Sequence, residues 1–202
     1  DLKELFSGTI KAIMEALDAK DSYTSGRSKR ITYYSIIVAK QLGLSTIDTG
    51  KVELAGMLHD IGMIGVSDEI LYKIDALSQE EYDEIKKHIT YSVKILEDIK
   101  QLKDVVEIIK YHHEKYDGTG YPYGVKGEDI PLGSRIIAVA DAFDSIISNR
   151  IYRNKIELQD ALNEIKKGAL TQFDPVVVKA FEDSFDAISA AVSESELSSY
   201  KD

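Results

Sequence analysis

The chain has 202 residues, 44% of them hydrophobic, which suits one domain and supplies enough apolar material for a core. It contains no cysteine, so disulfides and thiolate metal sites are excluded, and any metal must be held by nitrogen and oxygen. The formal net charge of −10 argues against the broad basic face that a DNA or RNA duplex requires, but leaves open a small anionic ligand where bound cations reverse the local sign. No apolar run approaches the ~18 residues of a membrane span, so neither a span nor a secretory signal is expected. The chain opens on Asp1 and not on methionine, which suggests an excised domain or processing.

Residues 1–20 place Leu2, Leu5, Phe6, Ile10, Ile13, Met14 and Leu17 at three- and four-residue steps, the pattern of an amphipathic helix. This is either a core helix or a connection from an upstream sensory domain. The stretch 21–29 is rich in turn and cap residues. Helical spacing resumes over 30–42 through Ile31, Tyr34, Ile37, Val38 and Leu42, and Gly43 is placed to stop it. A helix over about 51–61 carries Val52, Leu54, Ala55 and Leu58 and then His59-Asp60. Gly62 and Gly65 loosen the chain just past that dyad.

Asp68 to Tyr72 reads as a short helical turn. Ser78 with Glu81 three residues on forms a capping box, which predicts a helix to about Asp98 with Tyr82, Ile85, His88 and Ile89 on or near its apolar stripe. The next helix, 102–114, leads into His112-His113. Pro131 and Gly133 precede a helix over 134–148, in which Asp141 and Asp144 lie three apart on one side. Arg150 and Arg153 fall in a polar break, 149–154, before a helix over 157–167. Asp174 caps a last helix with Pro175 in its first turn, running to about Val192, and 193–202 reads as a flexible tail. There is no strand alternation and no repeat, so the expected fold class is all-α.

The chain has four histidines, and they fall as His59-Asp60, His88 and His112-His113. That order, closed by Asp141, is how a clustered site for Fe, Mn, Zn or Ni would be supplied, because neutral imidazole and carboxylate suit those ions. Taken alone, His59-Asp60 is more often a satisfied buried pair and His88 a hydrogen-bonded core residue. Four histidines in series reverse those odds. Adjacent helical positions diverge by roughly 100°, so His112 and His113 reach one metal only where a helix end faces it.

Over roughly 21–185 the sequence resembles the HD-GYP domain, the branch of the HD phosphohydrolases that degrades cyclic di-GMP. The likeness is carried by Leu58-His59-Asp60-Ile61-Gly62, by His88, by HHEKYDGTGYP at 112–122, by Ile130-Pro131 and by SRIIAVAD at 134–141. It continues through Asp144, Arg150, Tyr152, Arg153 and Phe173-Asp174-Pro175. The resemblance implies an HD-domain helical bundle over 21–192, with residues 1–20 as a helical extension. It implies two divalent transition-metal ions, iron or manganese ahead of zinc or nickel. Carried over by position, the ligands are His59, Asp60, His88, His112, His113 and Asp141, with Asp60 bridging. Gly120, Tyr121 and Pro122, together with Asp144, Arg150 and Arg153, are placed toward the substrate. For Tyr121 a plain packing role stays open, and for the two arginines a solvated surface pair.

The implied reaction is hydrolysis of cyclic di-GMP to pGpG, GMP or both by a metal-activated water, in the cytoplasm. The implied partner is a cyclic dinucleotide, with an upstream sensory or receiver domain and a homodimer left open. Two departures from the family pattern matter most. Met63 stands where the family usually has a phosphate-contacting lysine, and Arg27 stands in place of a histidine. Tyr23 also replaces a glutamate that accompanies a third metal in some members, which disfavours a three-metal site. Loss of one charge-assisted phosphate contact costs about 1.5–3 kcal/mol, roughly ten- to hundredfold in rate. Arg27 is therefore expected to act beside Asp60 in catalysis by supplying the missing cation. The competing expectation is a weakened or inactive domain that serves as a cyclic di-GMP receptor or protein-interaction module. A third is a phosphohydrolase for another nucleotide, such as a mixed cyclic dinucleotide.

Overall fold

A computed structural model describes residues 2–20, 26–151 and 158–199. Among them the fold is all-α: eleven α-helices and short 3-10 turns, with a single isolated bridge between Ala169 and Phe173. No described helix is long and apolar enough to cross a membrane.

The core is built around α2 (Arg27–Gln41), which packs on α3 (Thr46–Leu58) and α8 (Leu132–Ile151), while α7 (Lys103–Lys110) closes against α3. Ile31, Tyr34 and Val38 of α2 are buried with Val52 and Leu58 of α3, Ile109 of α7, and Ile137 and Phe143 of α8. The Phe143 ring meets Tyr34 and Phe181 edge-on, at 5.6 and 5.0 Å between ring centres. Such contacts among large apolar side chains are the main source of stability here. The first helix, α1 (Leu2–Lys20), joins this core through buried Ile10 and Met14. Its Lys20 ammonium donates to the carbonyls of Ile64 and Val66, at 2.7 and 2.9 Å, so it also holds the segment that follows His59-Asp60.

Local sequence signals set several helix starts. Ser45 accepts from the Asp48 N–H, Ser78 and Glu81 form the expected capping box, and Asp174 accepts from the Val176 N–H with Pro175 in the first turn. Helix ends depart more from expectation. The helix expected over 78–98 is two, α5 (Gln79–Lys86) and α6 (His88–Leu96), and the helix expected to 114 stops at Lys110. The one expected over 175–192 breaks at Ser184 into α10 (Pro175–Asp183) and α11 (Phe185–Ser199). Helix α11 continues through the stretch expected as a tail, because no glycine or proline interrupts 185–199.

Candidate metal centre

Three of the histidines share one local geometry, and it explains the early helix ends. His59 follows α3 directly, His88 lies just past the end of α5, and His112 lies just past the end of α7. Each ring places Nδ1 on the carbonyl three residues back: His59 on Gly56 at 2.7 Å, His88 on Ile85 at 2.7 Å and His112 on Ile109 at 2.6 Å. A carbonyl only accepts, so each Nδ1 carries a proton, and Nε2 is the nitrogen left to face Asp60. The imidazole thus adds a bond to a carbonyl of the last helical turn and projects its other nitrogen away from the helix.

All three Nε2 atoms are buried without a hydrogen-bond partner. They surround Asp60, whose Oδ2 lies 3.1 Å from His59 Nε2 and whose Oδ1 lies 3.4 Å from His88 Nε2 and 3.9 Å from His112 Nε2. One carboxylate therefore turns its two oxygens to different histidines. Asp60, His88, His112 and His113 each bring one ligand atom within 4.8 Å of the others. His59 adjoins this group through Asp60. Because α7 stops at Lys110, His112 and His113 are free of the helical divergence, and their ring centres lie 4.0 Å apart.

The charge states follow from burial and from Asp60. Burial opposes the charge on Asp60, but His59 and the other imidazoles outweigh it and hold its pKa well below the usual carboxylate range. Burial, then the neighbouring His113, keeps His112 neutral, and burial lowers His113 to about 4. Buried imidazole nitrogens gathered about one carboxylate, with His112 and His113 neutral, are a set that fits divalent transition metals.

Asp141 on α8 lines a cavity of about 530 Å³ together with His112, His113 and Tyr121, but it lies outside the four-residue group. Its Oδ1 accepts from Arg27 Nη2 at 2.7 Å. Asp144 differs from the expectation of a substrate contact. It is 0% exposed, and its two oxygens accept from Arg30 Nε and Nη2 at 2.8 and 3.0 Å, with Arg27 Nη1 at 3.7 Å. Both lone-pair faces are committed to arginines, so it anchors them and does not reach the cavity. Arg153 and Tyr23 lie outside the described residues, as does the side chain of Arg150.

The loop after the histidine pair is shaped by close approach. A Cβ on Gly120 would fall 2.2 Å from the Lys115 nitrogen and 2.5 Å from the Glu114 Cα, so only glycine fits. Tyr121 donates its backbone N–H to the His113 carbonyl at 3.2 Å and stacks its ring on His113, 4.9 Å between centres and 24° between planes. Burial raises the Tyr121 hydroxyl pKa, so it stays a neutral donor. Pro122 follows in a cis peptide bond, and neither it nor Gly120 lines the cavity. Two residues that sequence reasoning passed over hold this arrangement. Glu114, buried, accepts from the N–H groups of Tyr123 and Gly124 at 2.7 and 3.2 Å, and Arg30 fixes Asp144. Their sequence signal was weak: an acid beside the histidine pair, and an arginine one turn after Arg27.

The HD domain family profile matches residues 11–177. The chain is 39% identical over 166 residues to the Vibrio cholerae 3'3'-cGAMP-specific phosphodiesterase 3, covering 82% of this chain and 36% of that protein. It is 38% identical over 164 residues to a cyclic di-GMP phosphodiesterase of Thermotoga maritima, covering 80% and 45%. The chain thus spans less than half the length of these curated relatives. The HD domain of the L. monocytogenes phosphodiesterase PgpH, solved with cyclic-di-AMP, shares the fold at TM-score 0.66 and 16% identity over 90% of this chain and 96% of that one. With the histidine–aspartate cluster in place and a profile spanning most of its length, the chain belongs to the HD domain family.

Proposed function

We propose that the chain is a metal-dependent phosphodiesterase that hydrolyses a cyclic dinucleotide, with cyclic di-GMP as substrate and pGpG, GMP or both as product. The observation that carries the reading is the ring of three buried, partnerless Nε2 atoms about Asp60. His59, Asp60, His88, His112, His113 and Asp141 would hold two divalent ions, iron or manganese ahead of zinc or nickel. A phosphodiester repels anionic nucleophiles, and such a pair, when bound, lowers the pKa of a water and offsets charge on phosphate oxygen.

The chain's own residues do the rest. The Nδ1–carbonyl bonds fix the rings before any ligand arrives, so little ordering is left to the moment of binding. Asp60 would offer both of its oxygens as ligand atoms, one toward His59 and one toward His88 and His112. Arg27, held by Asp141, retains donors on its guanidinium for a phosphate oxygen. Tyr121, stacked on His113 at the cavity wall, offers a neutral hydroxyl or a ring face to the nucleotide. Arg150 and Arg153 remain candidates for phosphate or base contacts, and a cytoplasmic location suits a signalling nucleotide.

The test is turnover of cyclic di-GMP by protein loaded with Mn²⁺ or Fe²⁺. A folded, metal-loaded protein that turns over none would overthrow the reading. The 39% identity to a 3'3'-cGAMP-specific enzyme favours a mixed cyclic dinucleotide as the second substrate reading. A panel of cyclic di-GMP, 3'3'-cGAMP and cyclic di-AMP separates the two. Tight binding of cyclic di-GMP without hydrolysis would instead favour the receptor that Met63 suggests.

A further inference from the structure

Tyr82 stands on α5 with 44% of its surface exposed, yet it lines the same cavity as His113, Tyr121 and Asp141. One turn on, the Lys86 ammonium lies 4.6 Å from the centre of the Tyr82 ring and 5.6 Å from that of Tyr121. One cation thus sits against both rings. Helix α5 buries none of its residues, so core packing gives no account of an aromatic side chain at Tyr82. The helix is held from outside, by the Ser78–Glu81 capping box and by Lys73 on Glu81 at 2.7 Å.

A large ring kept at the mouth of a ligand cavity has the character of a base-stacking surface, because every nucleobase presents a π face. Lys86 adds a positive charge there, in a chain whose net charge is −10. Its present partner, Asp83 at 2.8 Å, is an exposed neighbour on the same helix. Exposed pairs of that kind are weak, so a phosphate can displace the carboxylate at little cost.

We propose that Tyr82 is a nucleobase-stacking residue of the substrate cavity, working beside Tyr121, and that Lys86 meets the adjoining phosphate. The choice of ligand rests on the phosphodiesterase reading, whereas the placement of the rings does not.

The experiment compares wild type, Tyr82→Ala and Tyr82→Phe, each loaded with Mn²⁺. It reads KM for cyclic di-GMP and affinity for GMP by calorimetry. Loss of one stacked base predicts a roughly five- to hundredfold weakening of both for alanine. Phenylalanine keeps the ring and should stay within about threefold of wild type. Mn²⁺ affinity and melting temperature should stay at wild type in both variants, which a merely structural role would not allow. An alanine protein within about twofold of wild type on both readings would overturn the proposal. So would a phenylalanine protein as impaired as alanine, which would assign the effect to the hydroxyl. A wild type that binds GMP but hydrolyses no cyclic dinucleotide would end the phosphodiesterase reading instead, and the GMP affinities would then decide the stacking role alone.

Discussion

Arg27 and Asp141 meet across 114 positions of chain, with Nη2 of one 2.7 Å from Oδ1 of the other. The guanidinium is a fixed positive charge at the border of the candidate metal centre. Burial alone would weaken that charge, but Asp141 and then Asp144 outweigh it and raise the Arg27 pKa. Replacing Arg27 by alanine removes a partner from Asp141 and, on the proposed reading, a charge-assisted donor to phosphate. Steady-state kinetics with cyclic di-GMP should show activity lower by about ten- to hundredfold, from about 1.5–3 kcal/mol. Arg27→Lys keeps the charge but not the planar fork, so it should recover only part. Unchanged substrate affinity and turnover in the alanine protein would exclude Arg27 from the reaction.

Removal of metal should be felt in stability as well as in activity. Saturation at about a thousandfold above Kd adds about 4 kcal/mol, or roughly 8–16 °C in Tm for a domain of this size. Identical melting in chelator and in Mn²⁺ would count against the site. A second reading comes from His59. Burial disfavours its charge, but Asp60 outweighs burial and raises its pKa to about 9 in the metal-free protein. At pH 7 the imidazole then holds a proton that a metal must displace. Mn²⁺ affinity should rise with pH until about 9 and level off above it. At pH 7 the calorimetric enthalpy should vary with the ionisation enthalpy of the buffer, and a buffer-independent enthalpy would show that no proton leaves.

Periodicity made the helices legible, and residue order made the cluster legible, because both are repeated signals. The capping box at Ser78 and the Asp174-Pro175 start are local chemistry and appear as expected. What sequence could not supply was the direction of individual side chains. His88 falls on the apolar stripe of a continuous helix, yet its ring takes the Ile85 carbonyl and the helix breaks beside it. Tyr82 lies on that same predicted stripe and is exposed, because α5 turns no face into the core. Asp141 and Asp144 share a helix side, but Arg27 and Arg30 reach them from α2. A contact made across the fold leaves no trace in spacing.

Gly62 and Gly65 look alike in sequence, but their surroundings separate them. A Cβ on Gly62 would fall 1.9 Å from the His88 carbonyl oxygen and 2.5 Å from the Ser92 nitrogen, both backbone atoms. On Gly65 it would fall 2.7 Å from the Tyr91 ring, which is a side chain and can turn. The Gly62 N–H also donates to Ser92 Oγ at 2.8 Å, tying the segment after Asp60 to α6. Gly62→Ala should therefore cost about 3 kcal/mol or more by overpacking and weaken Mn²⁺ binding by separating Asp60 from His88. Gly65→Ala should cost about 1 kcal/mol or less and leave the metal affinity intact. Thermal melts and calorimetry compare the two, and equal effects would mean that the close approach at Gly62 is not what positions the dyad.

Glu114 predicts a loss that is local. Its carboxylate braces the Gly-Tyr-Pro loop by accepting from two successive N–H groups, and Tyr121 depends on that loop for its stack on His113. Tyr123 and Gly124 are exposed, so water replaces the lost acceptor in Glu114→Ala and the cost falls to about 1–2 kcal/mol. That free energy belongs to opening of the loop and not to global unfolding. Amide exchange at Tyr123 and Gly124 should quicken by about tenfold, from about 1.4 kcal/mol, while Tm moves little. Glu114→Gln keeps one neutral acceptor and should lose about half as much. Because the loop carries Tyr121 and not the histidine cluster, KM should rise in the alanine protein before Mn²⁺ affinity falls. Unaltered exchange at both amides would show that backbone bonds such as Tyr121 N–H to the His113 carbonyl already hold the loop without Glu114.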